Sequence, residues 1–207
     1  MFLAVWVLVL LIGPITLLVN FPFDSLFKQE VLTINFFQRL AGLLLFSLIF
    51  VQVVLGSQMG KLIEKLTGKV FRFHIVEGIT TYVLMIAHPI LGYLNGVSLI
   101  PIFTRNELLY NMGRLAFALF TIAVFAGLFR SEPFIIRHWK KLHILNYAAF
   151  YLIAIHSYYV GSDVRSFPFI ILWWVAVTAV SIIVILKLKN LLAKSFLPRN
   201  QQTQAKV

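Results

Sequence analysis

The sequence predicts an all-α fold, a six-transmembrane-helix bundle, on three observations. Of 207 residues, 60% are hydrophobic and 12% charged, with a mean hydropathy of +0.92, well beyond the near-half apolar usage of water-soluble domains. Nearly uncharged runs of about 18 residues or more, enough to cross a hydrocarbon core, recur along the chain at 1–20, 35–56, 73–95, 112–129, 142–160 and 167–187. Basic residues between these runs collect in alternate connections, the pattern of a multi-pass chain.

The run 1–20 lacks a basic leading region and a small-residue cleavage pattern, so it is read as a first helix and not as a secretory leader. The second run carries Gln38-Arg39-Leu40-Ala41-Gly42 near its start. The third contains His74 and His88, with Gly78 between them and Pro89 after the second histidine, where a lost backbone donor favours a bend. The fourth, without histidine, is a generic apolar span. The fifth contains His143 and His156 amid Tyr147, Phe150, Tyr151, Tyr158 and Tyr159, aromatics that suit a flat cofactor, core or lipid equally. The sixth closes a single membrane domain over 1–189, and a short basic tail, 190–207, follows. Connections this short leave no room for a soluble catalytic domain, so chemistry belongs to the bundle or to partners.

The net charge of +11 would suggest nucleic acid in a soluble protein. Here the cations are sorted by loop, which speaks for topology and membrane lipid and against nucleic acid. Lys61, Lys65, Lys69 and Arg72 join the second and third helices; Arg130, Arg137, Lys140 and Lys141 join the fourth and fifth; Lys187, Lys189, Lys194, Arg199 and Lys206 follow the sixth. The opposite connections hold Lys28, Arg39, Arg105, Arg114 and Arg165, interspersed with Asp24, Glu30, Glu107 and Asp163. Positive residues stay inside, which places both termini in the cytoplasm and the chain in a plasma or inner membrane. The same basic loops suit anionic lipid or an acidic partner.

Cysteine is absent, which removes disulfides, thiolate catalysis, Cys-held iron–sulfur clusters and covalent haem attachment through C-x-x-C-H. Histidine is the remaining ligand supplied in quantity. The third and fifth helices are separated by two crossings and run parallel, so His74 matches His143 in depth and His88 matches His156, 14 and 13 residues further on. At about 1.5 Å per residue each step is roughly 20 Å, inside a hydrocarbon core of roughly 30 Å. Fourteen residues return to within about 40° of one helix face, whereas thirteen miss by about 140°. The fifth helix must therefore bend or bulge, or its two centres must be approached from different sides.

A lone intramembrane histidine commonly makes an interhelical hydrogen bond. Four matched by depth point to function, because ionisable groups are costly in lipid. Zinc would want three or four ligands at one level; two pairs instead suit two b-type haems, stacked across the membrane and each held by two axial imidazoles. His138 falls in a basic loop facing headgroups. Glu77, one turn after His74, is placed to orient an imidazole, accept a proton or simply be hydrated.

Trp139-Lys140-Lys141-Leu142-His143, continuing through Asn146-Tyr147 to His156, resembles the fifth helix of the ferric reductase-like transmembrane domain family, and His74, Gly78 and His88 resemble its third. That superfamily includes ferric reductases, NADPH oxidases and the haem subunit of a methionine sulfoxide reductase. The resemblance extends from Asn35 to Lys189. It implies two haem b groups, the inner held by His74 and His143 and the outer by His88 and His156, carrying electrons outward from the cytoplasmic side. It also implies a catalytic Arg39 beside the outer haem, where ferric ion, oxygen or a periplasmic or extracellular acceptor protein is reduced; a snorkelling interfacial arginine is the other reading of Arg39. Arg72, Lys140 and Lys141 would meet the inner haem's propionates and Arg114 the outer haem's, although each also serves as an interfacial anchor.

No Gly-rich dinucleotide loop follows the sixth helix, so no built-in FAD or NAD(P) site is expected, and a separate flavin reductase or a quinol would be the electron donor. Two other readings stand beside an oxidoreductase or its haem subunit: a quinol-linked cytochrome b membrane subunit of a larger dehydrogenase, and a non-redox transporter or scaffold in which the histidines hydrogen-bond or relay protons.

Overall fold

A computed structural model describes residues 2–21, 30–66, 68–101, 103–104 and 107–195. The chain forms α1 (Phe2–Asn20), α2 (Glu30–Leu66), α3 (Lys69–Leu94), α4 (Leu108–Leu128), α5 (Trp139–His143), α6 (Leu145–Val160), a 3-10 turn (Ser162–Arg165) and α7 (Phe169–Ser195). No strand occurs among the described residues. Asp24, Lys28, Arg105, Arg199 and Lys206, assigned above to loops and tail, lie outside them.

Each expected span falls largely on helix, but among the described residues the number of helices long and apolar enough to cross a membrane is four, at 32–65, 69–94, 108–128 and 169–193. The first span, counted over Ala4–Asn20, is shorter. The fifth is divided: the helix is interrupted at Ile144, leaving five residues in α5 and sixteen in α6. The interruption falls between His143 and His156, the stretch in which a bend or bulge is one of the two expectations. Two boundaries also outrun hydropathy. Helix α2 runs 37 residues, about 55 Å at the usual rise, because nothing after residue 56 breaks it before the Thr67-Gly68 junction. Helix α7 likewise continues six residues beyond 189.

Packing follows two hairpins. Helix α2 lies along α3, α4 lies along α6, and α1 and α7 flank α2 and α6. Where α1 crosses α2, a Cβ on Gly13 would stand 3.1 Å from Leu43 Cβ, so only glycine permits that approach. The centre is aromatic: Phe46 of α2 meets Phe150 of α6 at 5.9 Å and Phe169 of α7 at 5.8 Å between ring centroids, and all three are fully buried. Such pairs add attraction beyond burial. Buried hydroxyls are satisfied within their own helices, Thr16 Oγ1 donating to Ile12 O (2.8 Å) and Ser47 Oγ to Leu43 O (3.1 Å).

The outside of the bundle is apolar. On α3 the exposed residues Val76, Ile79, Val83, Ile86 and Ile90 form a stripe at helical spacing, opposite the face that buries Glu77, Thr81 and Met85. Soluble monomers rarely expose contiguous apolar surface on this scale; lipid is the solvent it fits.

Candidate functional site

The four histidines project from α3 and α5–α6, and each faces a glycine across its own hairpin. A Cβ on Gly42 would stand 3.0 Å from His88 Cε1, and one on Gly56 3.5 Å from His74 Cε1, both from α2. On α4, a Cβ on Gly113 would stand 3.0 Å from His156 Cε1 and Nδ1, and one on Gly127 3.5 Å from His143 Nδ1. Gly42 and Gly56 are 14 residues apart, as are Gly113 and Gly127, so each glycine-bearing helix presents two notches about 21 Å apart. At Gly42 and Gly113 an added Cβ would press on the ring, whereas at Gly56 and Gly127 it would make an ordinary contact.

Three of the rings are also fixed by hydrogen bonds. His88 Nδ1–H donates to Gln38 O (3.1 Å), His156 Nδ1–H to Leu109 O (2.8 Å) and His143 Nδ1–H to Ala123 O (3.1 Å). Each acceptor lies four residues before the facing glycine, so the carbonyl that takes the glycine's own helical N–H sits beside the notch, reachable because no Cβ covers it. A carbonyl only accepts, so these Nδ1 atoms carry the proton; the Nε2 of His143 lies 3.5 Å from the Asn146 amide, while those of His88 and His156 keep lone pairs available to a metal. His74 departs from the pattern: its Nδ1 is buried and has no partner among the described residues.

The hairpins bring the predicted inner pair together. His74 and His143 have ring centroids 6.4 Å apart with planes at 79°. Two metal–imidazole bonds of about 2 Å, plus roughly 1 Å from each nitrogen to its ring centre, give about 6 Å for one metal between two rings. At the other level the Tyr110 ring stands 6.4 Å from His156. Among the described residues, no three of His, Cys, Asp and Glu converge on a possible metal ion.

Charged residues expected near the site are distributed unevenly. Lys140 lines a cleft of about 300 Å³ together with His143, Gly56, Gln52, Asn146 and Lys187, and its ammonium lies 5.8 Å from the Trp139 ring centre. Lys141 and Arg72 are exposed and are not in that lining. Arg114 directly follows Gly113, but its guanidinium is held by Ser98 O, Asn111 and, at 3.4 Å, Glu107. Arg39 directly follows Gln38, the residue that anchors His88, and is clamped by Asp163: Nε donates to Oδ2 at 2.6 Å while a terminal nitrogen bonds Oδ1. It also stacks 5.2 Å from the Phe21 ring centre. Arg39 is thus ion-paired across the bundle, more committed than a snorkelling side chain.

Sequence reasoning passed over several residues here. Asp163, only 4% exposed, was visible as no more than a loop charge. Gln52 donates its amide to His74 O (2.8 Å) and to Glu77 Oε2, and Gly78 is the residue against which that amide packs. Glu77 is buried, its carboxylate facing the Trp6 indole and the Gln52 amide, so it is not the hydrated interfacial carboxylate among its readings. The signal that could have found the notches is the 14-residue interval, repeated in His74/His88, Gly42/Gly56 and Gly113/Gly127.

No family model matches the chain, and no curated protein or solved structure matches it.

Proposed function

We propose that this chain is a transmembrane electron conduit holding two b-type haems, with His74 and His143 as axial ligands of the inner and His88 and His156 of the outer. The observation that carries the reading is the notch-and-carbonyl arrangement: four rings facing glycines, the Nδ1 of His88, His143 and His156 committed to backbone, and His74 set against His143 across the hairpins. Histidines serving only as interhelical hydrogen-bond donors would have no need of matched partners at two depths. A haem bound at each level would supply one-electron exchange. The chain's own residues do the rest. The glycines and carbonyls orient the imidazoles, the core around Phe46, Phe120 and Phe150 excludes water between the levels, and Lys140 offers charge to a carboxylate at the inner edge. Arg72, Lys141 and Arg114 are further cations for carboxylates, the last only by releasing present partners.

Electrons would enter at the basic, cytoplasmic end from a separate flavin reductase or a quinol. They would leave at the end bearing Arg39 and Asp163, to ferric ion, oxygen or an acceptor protein. The direction follows the charge sorting of the connections, with both termini inside. This reading places the chain with the ferric reductase-like transmembrane domains that its histidine motifs resemble.

The test is a reduced-minus-oxidised absorption spectrum with haem quantification on purified protein. Two haems per chain are expected, and His88→Ala or His156→Ala should remove one while leaving most of the other. A colourless preparation that takes up no haem would overturn the reading in favour of a non-redox membrane protein.

A further inference from the structure

The inner pair is built asymmetrically. His143 is fixed through Nδ1–H, which bonds Ala123 O at 3.1 Å. His74 lacks that support. The carbonyl in the equivalent position for it is that of Gln52, four residues before Gly56, yet the ring is turned so that Cε1 and Nε2, at 3.5 and 3.9 Å, face the notch. The notches at Gly42, Gly113 and Gly127 all see a Cε1–Nδ1 edge instead. Gln52 meanwhile spends its side-chain amide on the backbone oxygen of His74 and on Glu77, which pins helix α3 and leaves the His74 Nδ1 without a hydrogen bond.

We propose that His143 is the fixed ligand of the inner centre and His74 the exchangeable one, so that a small neutral donor, with carbon monoxide as the probe, binds opposite His143. The proposal rests on the haem reading above. Backbone anchoring of a ligating imidazole fixes its tautomer and raises its basicity, and loss of such a partner costs about 10–100-fold in metal affinity. Three of the four ligands have the anchor and His74 lacks it, so exchange belongs at His74. In the exchange the bond from the metal to His74 Nε2 breaks and one to the carbon of carbon monoxide forms. No electron or proton moves, and His74 remains in its notch as a neutral imidazole.

Two measurements test this, one of them independent of haem. In haem-free protein labelled with nitrogen-15 at histidine, the imidazole signals of His88, His143 and His156 should each show a single Nδ1-protonated tautomer, and that of His74 an average of two tautomers; a single Nδ1-protonated form at His74 would overturn the asymmetry. In reduced, haem-loaded protein, carbon monoxide should bind at one haem per chain. His74→Ala should keep its inner haem and bind carbon monoxide there, whereas His143→Ala should hold inner haem at least about tenfold more weakly. Equal loss in the two variants, or no carbon monoxide uptake by a protein carrying both haems, refutes the exchangeable ligand. A protein that takes up no haem refutes the functional reading instead, and the tautomer measurement then decides the asymmetry alone.

Discussion

Replacing Gly113 with alanine tests whether the notches set the histidine geometry. The added methyl would stand 3.0 Å from both Cε1 and Nδ1 of His156 and 3.3 Å from its Cγ, against an optimum of about 3.5–4.0 Å for carbon contacts. Relief requires the ring to retreat by roughly 0.5–1 Å, and it is tethered to Leu109 O at 2.8 Å. Overpacking of this kind costs about 1–3 kcal/mol, and straining the tether adds about 1 kcal/mol. The better helix propensity of alanine returns up to about 1 kcal/mol, leaving a net loss of about 1–3 kcal/mol. Gly60→Ala, where an added Cβ meets nothing within 4 Å, is the control and should be neutral or stabilising by up to about 1 kcal/mol. Gly56→Ala, at an ordinary 3.5 Å contact, should fall between. Unfolding in mixed micelles followed by circular dichroism reads all three, and haem retention at the outer level reads Gly113→Ala a second time. A Gly113→Ala protein as stable as Gly60→Ala would refute the reasoning.

Two further outcomes follow from the outer end. Asp163→Ala leaves Arg39 without its carboxylate in a partly buried position, which should cost about 1–3 kcal/mol in the same unfolding assay; a loss below the error of the measurement would show the pair to be incidental. For topology, single cysteines belong at Ser162 and Lys189, both exposed, since Asp163 between them in sequence is buried and committed. An impermeant thiol reagent applied from outside intact cells should label Ser162→Cys alone, and the reverse pattern would overturn the proposed direction of electron transfer.

What hydropathy and spacing made legible was whatever depends on single residues against lipid. The runs of apolar residues located helices because an unpaired backbone is prohibitively costly in hydrocarbon, and the depth of His74, His88, His143 and His156 followed from rise per residue alone. Helix ends were less legible, since an apolar run ends where the residues turn polar while the helices α2 and α7 continue through polar sequence. Local interruption at Ile144 was foreseeable only as a consequence, through the 13-residue step. Pairwise facts were the hardest to see. Nothing in the identity of Asp163 tells that Arg39, 124 positions earlier, will clamp it, and glycine in a transmembrane helix is common enough that Gly42, Gly56, Gly113 and Gly127 stand out only once their interval is compared with that of the histidines.

The allocation of contacts between the two hairpins has a bearing on how the molecule assembles. Every contact that orients a histidine is made within one hairpin: α2 supplies the seats for His74 and His88, and α4 those for His143 and His156. Every histidine pair, by contrast, joins one hairpin to the other. Each half-chain can therefore prepare its ligands as soon as its two helices have been inserted, over sequence separations of some 20 to 50 residues, before it has met its counterpart. Completing a pair is then a docking event between prepared surfaces. A cofactor gripped from both sides would act as the clasp between independently inserted halves, tying its incorporation to the last step of biogenesis and leaving an unclasped chain recognisable to quality control.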